Sequence, residues 1–77
     1  MEWKRADALA VGDIVQPAAH IVARVARVTA KSDGLIAIHC QTLKSEFLAS
    51  SPPEKEYPVF DVEEPVSLQF LKSMRSL

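Results

Sequence analysis

Three side chains of this 77-residue chain, His20, His39 and Cys40, are of the types that bind soft metals or activate a nucleophile. Their spacing works against both chemistries. His39 and Cys40 are consecutive, so in a strand they point to opposite faces. A single cysteine excludes an intramolecular disulfide and a cysteine-based zinc cluster. His20 meets Cys40 only across neighbouring strands, and no strand-to-helix turn stands beside the thiol to lower its pKa. The acids Glu54, Glu56, Asp61, Glu63 and Glu64 sit in turn-like sequence interrupted by prolines, where solvation is their ordinary state. The expectation is a non-enzymatic protein with no catalytic, metal or cofactor site. Cys40 then serves as a small buried hydrophobe.

Two sets of residues suit binding instead. The segment from Glu54 to Glu64 interleaves Tyr57, Val59 and Phe60 with charges, a mixture fitted to protein contact through apolar anchors in a polar rim. Its plainer alternative is a last edge strand with Phe60 in the core. The second set is Trp3, Lys4, Arg5, Arg24, Arg27 and Lys31, five cations and an indole. If the N-terminal arm lies beside the central hairpin, these form one patch for phosphates and stacked bases. The plainer alternative is a solvated hairpin face, diluted by Asp7 and Asp33. The C-terminal Phe70–Leu77 offers a further amphipathic element, either for a partner or as a plug for the barrel end.

Charge does not choose between them. The net charge is −1, unlike the strongly basic balance of a dedicated nucleic-acid binder. Residues 1–44 hold six bases against four acids, and residues 45–77 three bases against six acids. The hydrophobic share of 48% with 25% charged residues is that of a globular domain. With aromatics at only 6%, the core must be built from Val, Ile, Leu and Ala, which suits strands. No apolar run approaches the ~20 residues of a membrane span, and no secretory leader is visible after Met1–Arg5. A reducing cytoplasmic setting and no membrane contact are the expectation.

The elements that must position these residues are short. Glu2–Val11 reads as one helical turn or an irregular arm. Asp7-Ala8-Leu9-Ala10-Val11-Gly12-Asp13 reads as a turn, with Gly12 at positive φ and Asp13 bonding local backbone. Ile14-Val15-Gln16 begins a strand that Pro17 ends or confines to an edge. Ile21–Ala30 is the strongest strand, preferred over a helix on its β-branched content. Arg24 and Arg27 are three apart, so a β-bulge near Ala26 is needed to place both outside with Val25 and Val28 inside. Asp33-Gly34 marks a hairpin tip, and Leu35–Cys40 is the return strand. Within Thr42–Pro53, residues 43–49 form a short helix, a turn or a strand extension; Leu43, Phe47 and Leu48 fit a helical face. Glu56–Asp61 reads as a short strand that Pro58 pushes to an edge. Val66–Leu71 alternates as a last strand; Leu71, Met74, Arg75 and Leu77 instead fit a short amphipathic helix at the end.

The succession Ala10-Val11-Gly12-Asp13-Ile14-Val15, a Val-rich strand, Asp33-Gly34, a return strand and an acidic turn before Val66 resembles small SH3-like β-barrel modules of bacterial and phage proteins. The resemblance is one of layout over residues 8–71. It implies a mainly β fold, a curled barrel of about five short strands, in one domain over 1–77. Residues 1–7 are then an arm, 8–71 the barrel and 72–77 a tail. Modules of this layout bind peptides, nucleic acid or other subunits, so the layout names no function. The expected function is a binding module acting through another protein, as a regulator or subunit of an assembly. RNA or DNA binding through the Arg24/Arg27/Lys31 face is the alternative.

Overall fold

A computed structural model of the chain describes residues 2–61. Within them six strands form one antiparallel sheet: β1 (Glu2–Arg5), β2 (Ile14–Ala18), β3 (Ile21–Ala30), β4 (Ile36–Gln41), β5 (Glu46–Ser51) and β6 (Glu56–Phe60). Their order across the sheet is β1-β6-β2-β3-β4-β5, with β1 and β5 at the edges. The mainly β expectation holds. Among the described residues this sheet does not close into a barrel, so the closure expected of an SH3-like module is absent there. The expected last strand at 66–71 and the C-terminal element at 71–77 lie outside the described residues.

Two turn signals act as their chemistry dictates. Gly12 sits at φ 97, the N–H of Asp13 donates to the carbonyl of Ala10 at 3.1 Å, and the Asp13 carboxylate accepts from the Ala10 N–H at 2.9 Å. At the β3–β4 tip Gly34 takes φ 84, its N–H donates to Lys31 O at 3.1 Å, and the Lys31 N–H donates to Leu35 O at 2.8 Å. This is a three-residue loop closed by a left-handed glycine, a looser hairpin than a two-residue turn with both central residues at positive φ. Asp33 adds a carboxylate oxygen that accepts from the Leu35 N–H at 3.1 Å. At the β2–β3 tip His20 itself holds φ 64, a conformation that costs a non-glycine residue of order 1 kcal/mol.

A Cβ built on Gly34 meets nothing within 4 Å, so any penalty for a side chain there is purely one of backbone conformation. Gly34→Val should therefore lower stability by about 1–2 kcal/mol, read as a shift in the urea midpoint. An unchanged midpoint would refute the left-handed assignment.

The bulge in β3 falls at Ala26. Val25 pairs with Cys40 and Arg27 with His39, leaving Ala26 as the extra residue. Arg24 and Arg27 consequently share the outer face while Val25 is buried and Val28 packs against the core. A second irregularity in β2, between Val15 and Ala18, is where Pro17 is accommodated without a ladder hydrogen bond.

Two expectations are corrected and one open alternative is decided. Glu2–Arg5 is a strand, because it pairs with β6 from Glu2–Val59 to Arg5–Glu56; Ala6–Ala8 then makes a single 3₁₀ turn. Of the helix, turn and strand extension left open for 43–49, the strand extension holds: Glu46–Ser51 pairs with β4 throughout. β6 is interior and not an edge. Its proline is tolerated because β2 pairs with β6 only at Val59 and Phe60, so that ladder stops before Pro58.

One face of the sheet, the inner one, gathers the core: Val15, Ala23, Val25, Ile38, Cys40, Tyr57 and Val59, with Ala6 from the 3₁₀ turn and Leu9 just after it. That turn is fastened to the β5–β6 connection by Ala6 N–H to Lys55 O at 2.7 Å and Asp7 N–H to Pro53 O at 3.2 Å. Among the described residues no helix is long and apolar enough to cross a membrane.

Candidate functional site

The cations expected to form one patch are divided by the strand order. Trp3 and Arg5 follow the register onto the same outer face as Arg24 and Arg27, but β6 and β2 stand between β1 and β3, a separation of roughly 14 Å. Lys4 points to the opposite face, where its ammonium lies 3.5 Å from Asp13. Most of the set is also paired. Arg5 donates to Asp7 at 2.8 and 3.1 Å, and this hydrogen bond, with the charge of Asp7, holds its pKa above the usual value. Arg24 donates to Gln41 at 2.8 Å, and the Lys31 ammonium lies 3.7 Å from Asp33.

The apolar contact set fares differently. Tyr57 and Val59 are 3% and 4% exposed and belong to the core cluster, and Phe60 is half-buried on the outer face beside Ile14. Tyr57 and Val59 are thus packing residues, held in place because β6 is flanked on both sides.

His39 and Cys40 point to opposite faces, as consecutive strand residues must. Cys40 is buried, its Sγ 3.6 Å from Ile38 O, and burial pushes its thiol pKa up. His20 sits at the far end of β3, at the β2–β3 tip. Among the described residues no three His, Cys, Asp or Glu side chains converge as a metal would require. An open cleft of about 380 Å³ lies between the tips of the β2–β3 and β4–β5 hairpins, lined by His20, Ile21, Leu43 and Phe47 among others.

Sequence reasoning missed the outer edge of β5. The β4–β5 tip is set by Thr42, whose N–H donates to Ser45 O at 2.8 Å and whose hydroxyl accepts from the Ser45 N–H at 3.1 Å. Thr42 and Ser45 are therefore a hydrogen-bonded pair. Alternation along an antiparallel ladder then directs the backbone groups of Phe47, Ala49 and Ser51 toward β4. Those of Glu46, Leu48 and Ser50 point away from the sheet. Among the described residues no strand pairs with that side.

The edge carries few of the usual blocking devices. It has no proline or lysine within Glu46–Ser51, its only charge is Glu46, and it is as long as β4. Leu48 is 53% exposed on the outer face, next to His39. On the inner face Phe47 and Ala49 pack against the core, and Ser51 is buried with a hydroxyl that has no hydrogen-bond partner among the described residues. Ser51→Ala should raise stability by about 1 kcal/mol, because a desolvated, unpaired hydroxyl is removed. A fall in melting temperature would show that the hydroxyl is bonded.

Comparison with protein-family models, curated proteins and solved structures finds no match to this chain.

Proposed function

We propose that this domain is a non-enzymatic protein-binding module that receives an extended segment along the outer edge of β5. The observation behind this reading is the row of outward backbone groups on Glu46, Leu48 and Ser50, beside an exposed Leu48. Strand addition draws its affinity from such main-chain groups and its selectivity from alternate side chains. Here Phe47 and Ala49 address one face of an added strand and Leu48 the other. The near-neutral charge fits a partner held by hydrogen bonds and apolar contact.

A library of displayed random peptides tests the reading. Selected peptides should show period-two apolar patterning and lose binding to Leu48→Pro, which deletes one outward N–H, and to Leu48→Lys, which keeps it but alters the side chain. No enriched peptide, or binding indifferent to both variants, would overturn it.

A second reading, nucleic-acid binding, is favoured by the Ala26 bulge, which sets Arg24 and Arg27 on one face. It predicts a labelled single-stranded oligonucleotide bound at low salt. Affinity should then fall steeply with salt and on Arg24→Glu/Arg27→Glu. Absence of binding at low salt removes it.

A further inference from the structure

We infer that the occupant of the β5 edge is a second copy of this chain, joined about a two-fold axis through Leu48 to make a continuous sheet of two domains. This rests on the strand-receiving reading of the same edge and names its partner.

Two identical edges joined this way pair antiparallel, and residues facing each other must lie on the same face of the joined sheet. Only registers centred on a residue satisfy that condition. Centring on Leu48 sets Leu48 opposite the partner's Leu48, Phe47 opposite the partner's Ala49, and Glu46 opposite the partner's Ser50. The outward groups of Glu46, Leu48 and Ser50 then all meet outward groups, for about six new main-chain hydrogen bonds. Centring on Ala49 instead brings Glu46 against the partner's Pro52, which has no N–H to give. Centring on Phe47 leaves Ser50 facing Lys44, beyond the strand end.

Side-chain chemistry favours the same register. The large Phe47 meets a small Ala49, so the inner faces interdigitate without crowding. The exposed Leu48 side chains cover each other on the outer face, in a row already begun by Arg27 and His39. Glu46, the sole charge of the strand, faces a serine, and the two Glu46 carboxylates stay roughly 14 Å apart, beyond a Debye length at physiological salt. A six-residue edge is a small interface, so the dimer is weak and concentration-dependent.

Sedimentation equilibrium of the full chain from about 10 µM to about 1 mM should show the mass rising from monomer toward dimer. Leu48→Pro and Leu48→Lys should remain monomeric over that range with unchanged circular dichroism. Register is read by copper-phenanthroline oxidation. Leu48→Cys should form a covalent dimer, since paired Cα atoms lie about 5.5 Å apart. Ser50→Cys should not, its two copies being roughly 14 Å apart. A monomer at every concentration, a dimer insensitive to both Leu48 variants, or equal cross-linking of the two cysteine variants overturns the inference. If the chain is monomeric yet its selected peptides still depend on Leu48, only the second copy is refuted; if peptide binding is absent too, the strand-receiving edge falls with it.

Discussion

Replacing Ile38 with alanine is expected to cost about 2–5 kcal/mol, read as a large drop in urea midpoint. Ile38 is 1% exposed and is one of the largest fully buried side chains. It stands on the inner face, opposite Val28 on β3 and Ala49 on β5, so three strands lose contact at once. Little is available to fill the gap. The neighbours are small or β-branched, and their rotamers are restricted by the sheet. For a chain of this size total stability is of order 4–12 kcal/mol, so the variant should be partly unfolded well below the wild-type midpoint. A loss under ~1 kcal/mol would mean that the inner face is not the main core.

Cys40 provides an independent measure of the same core. At 2% exposure its thiol is reached only when the strands open, and its raised pKa keeps it protonated in the folded chain. Modification by an aromatic disulfide at pH 8 should run roughly 3–4 orders of magnitude slower in the native protein than in urea, the factor set by a stability of about 5 kcal/mol. Ile38→Ala should recover much of that factor, because it raises the open population. Fast native labelling would place Cys40 at the surface. The sign of the pH effect follows from the raised pKa. An unfolded thiol ionises near its ordinary 9.0 while the folded one does not. The thiol's contribution to stability is therefore present below that pH and is lost as pH rises through it.

What could be read from sequence was local. Asp33-Gly34, Gly12-Asp13 and the Ala26 bulge depend on residues within a few positions of each other, and all three appear where their chemistry requires. What could not be read was set by distant pairing. Glu2–Arg5 has no periodic signal of its own and becomes a strand only against Glu56–Val59. Phe47 and Leu48 fit a helical spacing with Leu43 equally well, and β4 decides the matter by pairing with them. Pro58 argued for an edge, yet whether β6 has neighbours depends on where β1 and β2 stop. The candidate site shares this property. Which strand lies at the end of a sheet is a fact of topology, invisible to residue patterns. Tyr57, Val59 and Phe60 carried a contact-like composition in a strand that proves interior, whereas Leu48 looked like part of a helix.

The strand order also bears on synthesis. β2 through β5 form a meander of successive hairpins, each complete soon after its second strand is made. Of the six described strands β1 is made first and used last, since its pairing surface is β6, and β6 itself needs β2. During translation Trp3 and its neighbours must wait, unpaired, until Phe60 has left the ribosome. The seam of β1, β6 and β2 closes the longest loops in the described chain and should form after the folding barrier. Substitutions at that seam should chiefly speed unfolding, and those in the β3–β4 hairpin should slow folding, as a chevron analysis would show.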